Sequence, residues 1–442
     1  MFGCTSGTLF QVTVAGGSYQ EGMTTHIQGI PAGMLFTEEE ICRDLLLRKP
    51  GQDELTSPRK EPDIPLIFSG INAADSMAGI KNKGLSNGTP MVILIPNLDR
   101  QFIHIDQYQK TNRTPRPGHA SYASFQKYGT SDDAIGAGIF SGRYTCTIVA
   151  AGTIAKKILK EHGIEVTAYI KEAAGIKARE MSVEEIRKKS NLFRKIRKEH
   201  DPVYQAIFAN KKIIPQMRFL EKVKILENFE KILAETEVPA IDAEAIRKEY
   251  GIHAKLNCPD AEAADEMYKK IIAIKEKGDS SGGLVEVIAT GLPAGMGEPV
   301  FNKLDGELGR ALSVGAVKAV EIGRGIEVKD ITGSKCNDEI FAKDGKVYFG
   351  SNNAGGITGG LTTGQNLVVK LAVKPTPTIG IDQHTIDKLT LENTVLQAVT
   401  RRDPTIVPRV WPVAEAFVSI ILLDHFLQHL AYQNLMLHKN EG

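Results

Sequence analysis

Cysteine is sparse and unpatterned in this chain: Cys4, Cys42, Cys146, Cys258 and Cys336 are scattered, odd in number and contain no C-x-x-C pair. That spacing supports neither a disulfide framework nor a zinc site, and it fits a reducing cytoplasm. An excess of charge of one sign is also missing. The 54 basic and 53 acidic residues leave a formal net charge of +1, which argues against a chain built to coat nucleic acid or an anionic membrane. Any anionic ligand must therefore be met by a local cluster. The N-terminus lacks a basic region followed by an apolar run. The most apolar segment, FVSIILL at Phe417 to Leu423, is closed by Glu415 and Asp424 and reads as a buried helix rather than a membrane span. H-E-x-x-H and a Walker lysine loop do not occur, so zinc-hydrolase and P-loop chemistries lose support. GAGIFSG at Gly136 to Gly142 is one residue too long for a dinucleotide fingerprint, and no clear strand leads into it.

What the chain has is glycine in one dense run, SNNAGGITGGLTTG from Ser351 to Gly364, followed ten residues later by KPTPTI at Lys374. Glycine at this density lets main-chain N–H groups close on a flat or phosphorylated ligand, and the lysine adds positive charge. A turn-rich sheet corner would show the same composition. Strand-like runs are LFQVTVA, MVILIPN, GLVEVIA, VKAVEIG and NLVVKLAVK. The helices expected are TIAKKILKEHG closed by Gly163, the segment Pro259 to Gly278, and one from Val413 to about His438. Interleaved strands and helices predict an α/β or α+β class. HIQGIPAGM at His26 and VIATGLPAGM at Val287 share a β-like run and a G-x-P-A-G-M turn before a helix, the first opened by the capping box Thr37 to Glu40. An internal duplication follows from that pairing, with chance similarity around a Pro-Gly turn as the alternative. Residues 177–251 change to a Lys/Glu-rich helical composition starting at the capping box Ser182 to Glu185, which predicts an inserted, solvated helical hairpin within a single 1–442 domain.

Two clusters carry candidate chemistry. RTPRPGHASYASFQKYG sets Arg113, Arg116 and His119 beside a Pro-Gly turn, where a loop presents cations and an imidazole together. VTRRDPTIVPR holds Arg401, Arg402 and Asp403 before a proline that forces extended backbone. A hydrogen-bonded structural histidine and surface ion pairs are the plainer readings of these two clusters.

Together with GSYQEGMTTHIQGIPAGM, RKPGQDELTSPRKEPD, VAAGTIAKKIL, GEPVFNKLD and RRDPTIVPRVWPVAEA, these segments resemble the chorismate synthase family over nearly the whole chain except the helical insertion. The resemblance implies an α+β fold, a β-α-β sandwich, a homotetramer and FMN bound in reduced form. It further implies a lyase reaction in which 5-enolpyruvylshikimate 3-phosphate loses phosphate and a proton by anti 1,4-elimination to give chorismate, with no net redox change. By motif, Ser141, Gly315, Ala316, Gly359, Lys374, Pro375, Thr376, Pro377, Thr378 and Arg401 are expected to line the flavin. His119, Asp403 and Tyr19 take the catalytic positions, and Ser18, Arg48, Arg116 and Arg143 the substrate side. No metal, nucleic acid or membrane partner is implied, and a flavin reductase stands as a further partner.

The chain departs from the family pattern mainly on the substrate side. GGSYQ replaces G-E-S-H-G, placing Tyr19 at the position of a histidine that helps protonate the leaving phosphate; an ordinary phenol, with a pKa of about 10, shuttles protons poorly near neutrality. GIFSGRYT replaces G-R-S-S-A-R-E-T, so Ile139, Phe140 and Tyr144 stand for an arginine, a serine and a glutamate, while Arg143 is kept. Leu47 and Glu54 occupy common arginine positions. Thinned positive charge leaves two alternatives to the family reaction: a reduced-flavin enzyme acting on a less anionic cyclohexene-type substrate, or a non-catalytic flavin-binding subunit.

Overall fold

The computed structural model of the chain describes residues 3–57, 59–99, 112–398 and 403–435. Ten of its described strands make two five-stranded sheets, antiparallel at every pairing, and six more make three two-stranded hairpins. The first contains β1 (Thr5–Ser6), β2 (Gln11–Gly16), β3 (Gly22–Gln28), β4 (Leu66–Ser69) and β5 (Met91–Pro96), in the order β1-β2-β3-β5-β4. The second contains β6 (Glu165–Ala173), β7 (Ile176–Lys177), β8 (Gly283–Thr290), β9 (Val317–Ile322) and β10 (Leu367–Val373), in the order β7-β6-β8-β10-β9. The main helices are α1 (Glu38–Arg48), α2 (Ser121–Tyr128), α3 (Thr145–Glu161), α4 (Val183–Glu199), α5 (Ala261–Glu276), α6 (Leu304–Leu312) and α7 (Val407–Leu435). Each expected strand run and helix lies in one of these elements, the last helix as far as Leu435, with its expected end near His438 lying outside the described residues. The strand β6 is hidden in the sequence because Tyr169 and Lys171, both buried, interrupt its apolar pattern.

Helices α3 and α7 form the middle layer. The first packs on β3 and β5, the second on β6 and β8, and the two pack on each other, giving the β-α-β sandwich. They run in the same direction: Gly152 meets Ala416 and, ten residues further along each, the His162 ring meets Phe426 at 4.9 Å. Helix α7 is long and apolar enough to cross a membrane by length and composition, yet it is mostly buried inside the sandwich. At the α3–α7 crossing, a Cβ on Gly152 would lie 2.3 Å from Ala416 Cβ and 2.5 Å from its Cα. Gly152→Ala, which would gain about 1 kcal/mol in an exposed helix, is therefore expected to lose about 1–3 kcal/mol. A rise in the urea midpoint would contradict this.

The duplication extends well beyond its short motif. Strands β2, β3, β4 and β5 and helices α1 and α3 have counterparts in β6, β8, β9 and β10 and helices α6 and α7, with the same neighbours in each sheet. The two G-x-P-A-G-M turns are latched alike. Ser86 Oγ donates to Pro31 O at 2.6 Å and accepts from Met34 N at 2.9 Å. Thr362 Oγ1 donates to Pro293 O at 2.5 Å and accepts from Met296 N at 2.9 Å. A hydroxyl residue far along the chain in each half thus holds the same carbonyl and amide, which chance similarity does not explain.

Between β7 and β8 the inserted stretch is helical but packed, and it contains more than a hairpin. After α4 come helical segments at Phe219–Glu227, Phe229–Ala234 and Ala243–Tyr250. The apolar side of α4 carries Ile186, Phe193 and Ile196 into the core. The Arg194 guanidinium lies 4.7 Å from the Trp411 ring centroid, and a buried Lys222–Glu38 ion pair ties the insertion to α1. The Lys/Glu-rich composition conceals this because the long side chains pair with acids of the sandwich while their stems cover apolar surface.

Candidate active site

The strands β5 and β10, the loops following α1 and α6, and the starts of α3 and α7 supply the candidate residues. Helix N-termini concentrate positive potential, and two parallel ones favour an anionic ligand at their shared end. On the α3 side, Asp63 is fully buried between two arginines. Arg48 Nη1 contacts Asp63 Oδ2 at 2.6 Å, and the remaining Arg48 donors reach Thr145 Oγ1 at 2.9 Å and Gly142 O at 2.8 Å. Arg143 pairs with Asp63 through Nη1, donates from Nε to Asn97 Oδ1 at 2.7 Å and from Nη2 to Pro96 O at 3.1 Å, and has Glu61 at 3.6 Å. Burial alone would raise the Asp63 carboxyl; the guanidinium groups of Arg143 and Arg48 outweigh it and hold the group below the ordinary carboxylate range. Arg48 and Arg143, expected on the substrate side, thus both direct donors into the protein.

Asn97 extends this network to the Ser18–Tyr19 loop, donating to Gly17 O at 2.9 Å and Gln20 O at 2.7 Å. Ser18 Oγ donates to Gly136 O at 2.8 Å, and the Tyr19 ring lies against Gly136, where a Cβ would come within 2.4 Å of two ring carbons. Gly136, Ala137 and Gly138 take positive φ values of 58°, 70° and 48° in succession. Such strain in a non-glycine residue concentrates where surrounding structure over-determines the backbone, and binding sites are a common setting.

On the second side, Lys374 leaves β10 and its ammonium donates to Gly118 O, next to His119. Lys374 N donates to Ala316 O at 2.9 Å, and the Tyr144 hydroxyl, which burial pushes up, is brought part of the way back by the nearby Gly315 main chain. Ser280 Oγ donates to Thr376 O at 2.8 Å. Residues His119, Tyr144, Gly315, Ala316 and Lys374 to Thr378 are thereby brought together, with Ser141 capping the turn into α3 by accepting from Arg143 N at 3.3 Å. Arg116 sits three residues before His119, its amide donating to Ser121 Oγ at 2.9 Å. Asp403 accepts from Ser57 N at 2.5 Å and lies 3.5 Å from Arg409 Nη1. The link from Asp403 to the Lys374 region runs through Ser281 N, which donates to Pro404 O at 2.9 Å.

One expected position falls elsewhere. Gly359 tips the hairpin Ile357–Thr362 before β10, whereas Lys374 follows that strand, so seven residues of strand, roughly 20 Å, separate them within one chain. Arg401 lies outside the described residues.

The cluster has unfilled bonding capacity. Among the described residues, His119 Nδ1, Thr376 Oγ1 and Ser281 Oγ are buried without a hydrogen-bond partner, and beyond its chain neighbours nothing described lies within 4 Å of a Cβ built on Gly315. Buried polar atoms normally find partners, so three orphans in one cluster mark a place for a polar ligand. Burial, then the charges of Arg116 and Lys374, push the His119 imidazole down to about 4. It is expected to be neutral at pH 6, with its ring proton resonances shifting only near pH 4; titration near 6.5 would contradict this. Because the unfolded imidazole takes up a proton before the folded one does, this residue lowers stability progressively as pH falls from about 6.5.

Comparison with known proteins decides the family. A model described as chorismate synthase matches residues 10–427. The chain belongs to the chorismate synthase family. Chorismate synthase of Methanosarcina barkeri is 38% identical over 429 residues, which is 97% of each chain. That of Acetivibrio thermocellus is 37% identical over 441 residues, covering 96% of this chain and 94% of the relative. A crystal structure of chorismate synthase has a TM-score of 0.60 and 27% identity, with 96% of this chain and 94% of that one covered.

Set against the chorismate synthase pattern, the departures have definite places. Leu47 is a core residue at 3% exposure. Ile139 packs on the core, and Phe140 lies outside it, 6.3 Å from the Tyr128 ring. Glu54 turns towards Lys255 Nζ at 2.6 Å. Asp63, Asn97 and Tyr144 enter the site although no motif gives them a role there. Glu61 and Asp63 close the RKEPD motif and Asn97 ends MVILIPN; their acid and amide character was the available signal.

Proposed function

We propose that this protein is a reduced-FMN-dependent lyase of the chorismate synthase type, eliminating phosphate and a proton from 5-enolpyruvylshikimate 3-phosphate. The observation that carries this is the junction of His119 with Lys374 to Thr378, more than 250 residues apart in sequence, where His119 Nδ1 and Thr376 Oγ1 are buried and have no hydrogen-bond partner among the described residues. The residues fit a flavin: His119 and Thr376 offer a ring nitrogen and a hydroxyl, Lys374 a cation, and Gly315 open backbone. Bound in reduced form, the flavin would lend electron density to the substrate without net redox change. Neutral His119 would accept or donate one hydrogen bond at the flavin edge rather than place a charge there. Asp403, anchored by Ser57 N, would assist proton transfer. The substrate is a small phosphorylated molecule, the assembly a homotetramer, the location cytoplasmic, and a reductase an outside source of reduced flavin.

A second reading, a less anionic substrate, is favoured by the donors of Arg48 and Arg143 being directed at Asp63, Asn97 and main-chain carbonyls. Each charge-assisted hydrogen bond missing from a buried anion costs about 1.5–3 kcal/mol, so several would separate the two readings clearly. Anaerobic incubation with dithionite-reduced FMN and 5-enolpyruvylshikimate 3-phosphate, followed by chorismate and phosphate release, tests the first. Reduced-flavin uptake without turnover at any enzyme level would reject it and retain the second. Absence of flavin uptake would reject both.

A further inference from the structure

We infer that the helical insertion, together with Lys255 and helix α5 that follow it, is a positioning clamp for Asp403, acting through the loop 49–57; this rests on the lyase reading for Asp403 but not for the clamp itself. The loop closes on itself, with Gly51 N donating to Ser57 O at 2.9 Å and Thr56 N to Asp53 O at 3.1 Å. A loop so closed moves as a unit, so whatever holds one side fixes the other.

One side is held from outside the sandwich. Lys49 Nζ meets Asp201 Oδ2 at 2.6 Å. Arg197, on the last turn of α4, donates from Nη2 to Gln52 Oε1 at 2.7 Å and pairs with Asp53 Oδ2 at 3.3 Å. Glu54 accepts from Lys255 Nζ at 2.6 Å and also contacts the Tyr268 hydroxyl, while Lys275 Nζ donates to Glu54 O at 2.7 Å. Burial would raise the Glu54 carboxyl, but the bonds from Lys255 and Tyr268 bring it down to about 2. The Lys49–Asp201 and Arg197–Asp53 pairs are 6–7% exposed, a setting in which an ion pair resists solvent screening.

The other side of the same loop reaches the site. Ser57 N donates to Asp403 Oδ1 at 2.5 Å, and Arg409, which pairs with Asp403, donates from Nε to Arg48 O at 3.0 Å at the loop's root. Arg197 and Glu54 are therefore positioning residues: they touch no expected ligand contact, yet they set where the Ser57 amide points. Glu54 has the chemistry for this role because an acid, unlike the arginine common at its position, can be bound by Lys255 and Tyr268.

Hydrogen exchange on the full-length chain tests the clamp without requiring activity. In Arg197→Ala and separately in Glu54→Ala, the Ser57 amide is expected to exchange about tenfold faster, with α3 and α7 unchanged. Arg197→Lys restores part of the protection. Glu54, at the half-exposed loop surface, provides the arm that survives should Arg197→Ala fail to fold. In the anaerobic assay, kcat falls about tenfold at an unchanged KM, as expected when a proton-transfer group is misplaced while substrate binding stays intact. Ser57 exchange as slow as in the parent in both variants overturns the clamp, as does faster exchange with unaltered kcat. Should the parent protein show no turnover, the lyase reading fails and the exchange result alone decides the clamp.

Discussion

Asp63→Ala is expected to remove about 3–5 kcal/mol of stability, a large share of what a folded chain possesses. Asp63 is fully buried and is the acid on which Arg48 and Arg143 both converge. Removing it leaves two buried guanidinium groups facing each other, with Glu61 at 3.6 Å from Arg143 as the remaining acid described at the pair. Asp63 also holds φ at +53°, a left-handed value that aspartate tolerates better than alanine. Urea denaturation checks the magnitude; a loss under 1 kcal/mol would show that water reaches the arginines in the folded state. The same group sets an acid limb. Its folded pKa lies below the unfolded value, so its contribution is present above about pH 4 and disappears as pH falls through the lowered folded value.

Tyr19→His is expected to raise lyase turnover by about a hundredfold, the lower end of what general acid catalysis contributes. The loop carrying residue 19 is held independently of that side chain: Asn97 binds Gly17 O and Gln20 O, and Ser18 Oγ binds Gly136 O. An imidazole is smaller than the phenol that lies against Gly136, so the exchange introduces no new crowding there. A phenol keeps its proton to about pH 10, whereas an imidazole exchanges it near pH 6.5 and can therefore pass one to a leaving phosphate. The variant's rate profile should acquire a limb near neutrality that the parent lacks. An unchanged rate in a variant that still takes up reduced FMN would show that residue 19 stands away from the leaving group.

The strands were legible because β-branched residues alternate in GLVEVIA, VKAVEIG and NLVVKLAVK, and these are β8, β9 and β10. The capping box at Thr37 was equally plain, since its two reciprocal bonds, both 3.2 Å, are local in sequence. The insertion was harder. Its charged helices look solvated until Lys222 and Arg194 are seen to end on Glu38 and Glu415, acids that are distant in sequence. In the candidate site, motif residues were recognisable one by one, but their partners were not. Asp63 looks like any acid in a polar loop, and the arginines beside it look like ligand donors.

By itself the sequence determined the α+β class, the duplicated strand–turn–helix pattern and the family, because these rest on local periodicity, turn chemistry and ordered motifs. Only the tertiary structure decided which charges are available to a ligand. An arginine in a motif carries the same charge wherever it lies; whether that charge is directed at a ligand depends on whether a buried acid such as Asp63 reaches it first. That outcome is a matter of distance in three dimensions, which sequence spacing does not encode.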